Sequence, residues 1–150
     1  MNRLRSRPAP VEILLVEDNR PDARLIEEIL RQGRVPKNIS VVTEGDEALA
    51  FLQRRGVHAE APRPALVVLD LNLPVRDGRE LLREIKGDPA LRRIPVVVLT
   101  TSDAPGDVQQ AYDLQANAYI VKPVGLDAFT EVILAIEQFW LAIALHPEPA

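Results

Sequence analysis

The chain has 150 residues, with 18 Lys and Arg against 22 Asp and Glu for a formal net charge of −4, and no cysteine. One domain is the ordinary expectation at this length, and a hydrophobic fraction of 47% with 27% charged residues excludes a disordered or fibrous chain. Disulfides and cysteine-held metal are excluded, an acidic balance argues against nucleic acid, and the longest apolar run, Phe139–Leu145, falls far short of the ~18 residues that suggest a membrane span.

The chain opens on MNRLRSRPAP, basic and proline-containing. No apolar stretch with a cleavage site follows, so residues 1–10 are expected to be a flexible N-terminus rather than a secretory leader, and the protein to be cytoplasmic. Val11–Val16 is a short apolar run rich in β-branched residues. Ile39–Thr43, Ala65–Leu69, Pro95–Thr100 and Ala118–Val121 are four more. Runs this apolar suit strands buried on both faces, as in a parallel sheet. Helical patterns lie between them. Leu25, Ile26, Ile29 and Leu30 form one stripe, with Pro21 near its first turn and Gly33 as a stop. Ala48, Phe51 and Leu52 form a second, ending at Gly56. Leu81, Leu82 and Ile85 form a third, ending at Gly87. A fourth helix is predicted from about Pro105 to Gln115, and a fifth from near Leu126 to about Leu145. Strict alternation of five strands and five helices specifies an α/β, doubly wound parallel sheet with right-handed crossovers. The predicted division is 1–10 flexible, 11–135 the folded domain, and 136–150 a C-terminal helix extension and tail.

Carboxylates gather at the predicted strand ends. The first strand ends in Glu17-Asp18 and the third in Asp70. Open α/β sheets form ligand sites beyond the carboxyl ends of their strands, where the strand order reverses. If these two strands are neighbours, three carboxylates meet, and protonation or a cation must relieve their repulsion. An all-oxygen donor set points to Mg²⁺ or a similar hard cation such as Mn²⁺. The fourth strand adds Thr100 and the fifth adds Lys122, a compact charge suited to a carboxylate or phosphate oxygen.

Four motifs stand in register: LLVEDN (residues 14–19), VVLDLNLPVRDG (67–78), VVVLTTS (96–102) and YIVKP (119–123). In order and spacing they resemble the receiver domain of two-component response regulators, over about Val11 to Ala135. The segment DLQANAYIVKP followed by IEQFW is similar to the single-domain regulators that partner bacterial and cyanobacterial phytochromes. The resemblance implies a flavodoxin-like five-stranded sheet of order 2-1-3-4-5. It implies Asp70 as phosphoacceptor from a sensor histidine kinase, a bacteriophytochrome being the kinase suggested. It implies Mg²⁺ or Mn²⁺ held by Glu17, Asp18, Asp70 and the backbone carbonyl of Asn72. Thr100 and Lys122 would contact phosphoryl oxygens, and Thr100 with Tyr119 would form the switch. Pro123 would follow a cis Lys–Pro bond, and Gly78 would sit where a side chain is excluded. The protein would then not be an enzyme on a separate substrate, although metal-dependent self-phosphorylation and autodephosphorylation are expected. Two other readings stay open: an Mg²⁺-dependent phosphohydrolase, disfavoured by Asn72 where such enzymes need a second Asp, and a phosphorylation-independent interaction module.

The last helix carries apolar residues on more than one face. Val132, Ile136, Phe139 and Ile143 are spaced 4, 3 and 4, and Trp140 extends a second line. The sheet covers one face of a helix, so the remainder is expected to pack on a second copy in a homodimer, with Phe139 and Trp140 as aromatic anchors. An extension folded back over its own domain is the competing expectation.

Overall fold

The computed structural model describes residues 10–143. The expectations for residues 1–9 and 144–150, and for the side chain of Ile143, lie outside the described residues. The elements run β1 (Val11–Val16), α1 (Arg20–Arg31), β2 (Lys37–Val42), α2 (Gly45–Gln53), β3 (Leu66–Leu69), α3 (Gly78–Gly87), β4 (Val96–Thr100), α4 (Pro105–Asp113), β5 (Ala118–Val121) and α5 (Leu126–Ile136), followed by a π-helical segment, Glu137–Ile143. The sheet has the order β2-β1-β3-β4-β5. Every neighbouring pair is parallel, with Val16 level with Leu69 and Thr100 level with Val121.

Strand period two divides the interior into two cores. Leu14, Val16, Val67, Leu69, Val96 and Val98 face α2 and α3, where Phe51, Leu52, Leu81, Leu82 and Ile85 cover them. Ile13, Leu15, Leu66, Val68, Val97 and Leu99 face the other way, under Ile26, Ile29, Leu30, Phe129, Ile133 and Ile136 of α1 and α5. The central strands β3 and β4 are buried along their whole length, which is why they read as unbroken apolar runs.

Three local features depart from the sequence reading. Helix α4 stops at Asp113 rather than near Gln115 because Gln115 takes a left-handed φ of 74°, which ends the right-handed turn. Lys122–Pro123 is trans, like every described peptide bond, so the expected cis bond is corrected. A cis bond is not needed to aim the lysine: the Lys122 N–H donates to the Thr100 carbonyl at 2.7 Å, continuing the β5 ladder by one residue and leaving the side chain buried. The third departure is the last helix, which does not continue as an α-helix to about Leu145. Its i→i+5 hydrogen bonding over Glu137–Ile143 follows Ile136, and both Ile136 and Leu141 are buried against the body of the domain.

This wider turn also buries Glu137. Its carboxylate accepts the Val35 N–H at 3.0 Å and pairs with the Lys37 ammonium at 3.5 Å, the two side chains being only 8% and 3% exposed. Gly33 packs directly on the same carboxylate and leaves no room for a Cβ. The C-terminal segment is thereby tied to the α1–β2 connection by an ion pair under cover from solvent. Breaking such a pair on one side leaves a buried, uncompensated charge. Glu137→Gln is expected to lower unfolding stability by about 3 kcal/mol, and Lys37→Met in the same background to restore part of it. Urea denaturation measures both, and equal, additive losses would show that the two groups do not interact.

Candidate functional site

The carboxyl ends of β1, β3, β4 and β5 meet at one edge of the sheet. Because β3 sits between β1 and β4, Glu17-Asp18, Asp70, Thr100 and Lys122 arrive there together. Asp70 lies just past β3, 7% exposed. Its Oδ1 accepts the Thr100 hydroxyl at 2.9 Å and the Asn72 N–H at 3.1 Å. Its Oδ2 accepts the Lys122 ammonium at 3.0 Å. The same ammonium reaches Glu17 Oε1 at 2.7 Å and Asp22 Oδ2 at 2.9 Å. Its three N–H donors therefore meet three carboxylates.

Burial and charge set the protonation balance. Burial pushes the Glu17 carboxyl up to about 7, the Asp70 charge adds to the rise, and the Lys122 hydrogen bond opposes it. Burial by itself would lower the Lys122 ammonium. Hydrogen bonds to Glu17 and Asp22 and the charges of Glu17 and Asp70 outweigh that and hold it above the usual lysine range. Glu17, Asp18 and Asp70 each offer a carboxylate oxygen, all within 4.8 Å of one another. With Asp18 exposed and the other two buried, this all-oxygen set is open on one side and suits a hard divalent cation.

The backbone approach that permits this packing depends on Gly78, the first residue of α3. A Cβ there would stand 2.5 Å from the Asp70 carbonyl oxygen and 2.6 Å from the Leu71 Cα, both rigid backbone atoms. Asp77 caps the helix through the Arg79 N–H at 2.8 Å, and the Gly78 N–H donates to the Leu71 carbonyl at 2.9 Å.

Beyond the predicted set, the structure adds residues that patterning did not single out. Asp22 is the foremost. An acid in the first turn of a helix is the ordinary complement to its dipole, and nothing in the sequence shows that α1 starts over the site. A second group lies along the β4–α4 loop. The Tyr119 hydroxyl donates to the Ser102 carbonyl at 2.9 Å, and the Ser102 hydroxyl donates to Asp107 at 2.5 Å. Arg79 joins Asp107 at 2.9 Å and Asp77 at 3.2 Å. The Ser102 hydroxyl and the Arg79 guanidinium hold the Asp107 carboxyl below its usual range. Tyr119 is thus tied to the loop that follows Thr100, which places the two expected switch residues on either side of one segment.

The expected dimer residues do not share one fate. Ile136 is 3% exposed and packs in the core of its own domain. Val132 and Trp140 are half-buried against that core. Phe139 is 52% exposed and meets Trp140 edge to face, with ring centroids 5.1 Å apart.

Known proteins match this arrangement closely. A model of the response regulator receiver domain matches residues 13–134. Response regulator Rcp1 of Synechocystis sp. is 46% identical over 138 residues, covering 92% of this chain and 94% of that protein. The crystal structure of the Mn²⁺-bound form of Rcp1 has a TM-score of 0.90 and covers 92% of this chain and 99% of its own. That of the phosphorylated cyanobacterial phytochrome response regulator RcpA has a TM-score of 0.91 at 49% identity, covering 93% and 100% of the two chains.

Gly78→Ala is expected to cost about 2 kcal/mol or more, because the clash is with backbone and the Asp70 peptide must move. Chemical denaturation checks this, and a variant of unchanged stability would show that the loop yields freely.

Proposed function

The chain belongs to the response regulator receiver domain family, and we propose that Asp70 is the residue through which it accepts a phosphoryl group from a histidine kinase. The observation that carries this reading is the setting of Asp70. A carboxylate stands at the mouth of the sheet with Lys122 and Thr100 already donating to it and two further acids within 4.8 Å. In the proposed step an Asp70 oxygen forms a bond to phosphorus while the P–N bond of the kinase phosphohistidine breaks, and the leaving imidazole takes the electron pair and a proton. Lys122 and Thr100, freed from the carboxylate oxygens they now hold, donate to phosphoryl oxygens. Glu17, Asp18 and Asp70, with the backbone carbonyl of Asn72, would hold Mg²⁺ or Mn²⁺, the latter named for the related Rcp1. A divalent cation there supplies positive charge against the developing charge on the phosphoryl oxygens.

Movement of Thr100 toward the phosphoryl group would pull on the β4–α4 loop, to which the Tyr119 hydroxyl is bonded through Ser102. Tyr119 then turns into the vacated space, and the α4–β5–α5 surface changes. The proposed division keeps 11–135 as the folded domain and treats residues from 136 on as an arm, whose Ile136, Glu137 and Leu141 pack onto that domain. The reaction is a stoichiometric self-phosphorylation followed by hydrolysis, not turnover of a separate substrate. A phytochrome-linked kinase is proposed as donor because RcpA, at 49% identity, is named a phytochrome response regulator. A cytoplasmic location is proposed to go with that donor, and no described helix is long and apolar enough to cross a membrane.

Acyl-phosphate labelling by acetyl phosphate or a phosphorylated kinase is expected to be lost in Asp70→Asn and on chelation with EDTA, as read by intact-mass spectrometry. Full labelling of Asp70→Asn would assign the reaction elsewhere.

We also propose a homodimer through the arm. Phe139 and Trp140 flank a recess of about 240 Å³ whose other walls are Ile120, Val132, Ala135 and Ile136. An exposed aromatic beside an apolar recess is self-complementary across a two-fold axis. Phe139→Glu is expected to shift light-scattering mass from dimer to monomer at micromolar concentration, and a wild-type protein that is monomeric with and without phosphorylation removes the proposal.

A further inference from the structure

Lys122 is shared among three carboxylates, of which Asp22 alone has no place in the phosphoryl-transfer reading above. Asp22 is the third residue of α1 and its N–H is held by the Asn19 side chain at 3.0 Å. That contact fixes the carboxylate against Lys122 at 2.9 Å. Glu17 and Asp70 are almost fully covered, whereas the Asp22 side chain is 32% exposed.

Its presence changes the charge count. Four carboxylates, Glu17, Asp18, Asp22 and Asp70, stand against one ammonium and leave three negative charges when all are ionised. A divalent cation reduces this to one, where Glu17, Asp18 and Asp70 alone would have been neutralised. The incoming phosphoryl donor is itself an anion. Asp22 also occupies one of the three N–H donors that Lys122 could offer to a phosphoryl oxygen. We propose that Asp22 is a positioning residue that restrains phosphoryl acceptance, competing with the phosphoryl group for the Lys122 ammonium and repelling the donor.

This rests on Asp70 being the acceptor, and the two ideas fail in different ways. Asp22→Asn keeps the shape and an oxygen acceptor for Lys122 but removes the charge. With acetyl phosphate as donor, an Asp70 oxygen bonds to phosphorus and acetate leaves with the electron pair of the broken P–O bond. The rate of Asp70 labelling is read by intact-mass spectrometry at saturating Mg²⁺. Asp22→Asn is expected to be labelled about 3- to 10-fold faster than wild type, as one charge removed a few ångströms from an anion predicts in a wet cleft. The gain should shrink between low salt and 0.5 M KCl. Asp22→Glu, which restores the charge, should return the rate toward that of wild type. A purely structural role for Asp22 would give a slower or less stable variant, not a faster one. If wild type is labelled on Asp70 while folded Asp22→Asn is labelled at the same rate or more slowly, the restraint does not exist. If wild type is not labelled on Asp70 at all, it is the acceptor assignment that falls.

Discussion

The site depends on one ammonium. Glu17, Asp22 and Asp70 all lie within 3.0 Å of Lys122 Nζ, and carboxylates brought this close without a cation between them would repel strongly wherever water is excluded. Burial, with a smaller contribution from the Asp70 charge, pushes the Glu17 carboxyl up to about 7 even with this lysine bonded to it. The arrangement therefore persists only because the scaffold beneath it is rigid. Five parallel strands, buried on both faces at the centre, hold four strand ends at fixed separations, and the cores on either side resist any spreading.

That rigidity and the site's chemistry come from the same topology. The strand order reverses between β1 and β3, so the loops after these strands diverge to opposite faces and leave a crevice. Gly78 lets the β3–α3 loop close tightly on the Asp70 peptide. The β4–α4 loop is instead held by a chain of side-chain bonds through Tyr119, Ser102, Asp107 and Arg79. Bonds of that kind can be exchanged one for another at modest cost, while the backbone at Gly78 is packed too closely to admit even a Cβ. Asp70 is thus set beside a tightly packed backbone, while the loop beside Thr100 is held by bonds that exchange more readily.

The C-terminal segment shows the same contrast. Glu137 and Leu141 are drawn into the receiver body, while Phe139 remains open to solvent against Trp140. The arm is accordingly both a structural brace, through Lys37 and Val35, and an apolar surface. The folded-back expectation describes its buried face, and the exposed face is the one on which the proposed homodimer rests.

Much of this was legible without coordinates. Unbroken apolar runs such as Val96–Thr100 identify buried parallel strands, because only strands covered on both faces lack a polar alternation. The spacing of LLVEDN, VVLDLNLPVRDG, VVVLTTS and YIVKP places acids, a hydroxyl and a lysine at strand ends, since strand ends are set by local pattern. What the sequence could not decide were features that arise only when distant elements meet. Asp22 reads as a routine first-turn acid until α1 is seen to begin over Lys122, one hundred residues away. Glu137 reads as a polar interruption until Lys37 is found opposite it. The trans geometry at Pro123 and the π turn that carries Leu141 are settled by ladder and packing contacts that have no local signature. Local pattern determined the elements and the chemical types at their ends. Tertiary packing determined which charges share a partner, because that depends on distances through space that no spacing along the chain encodes.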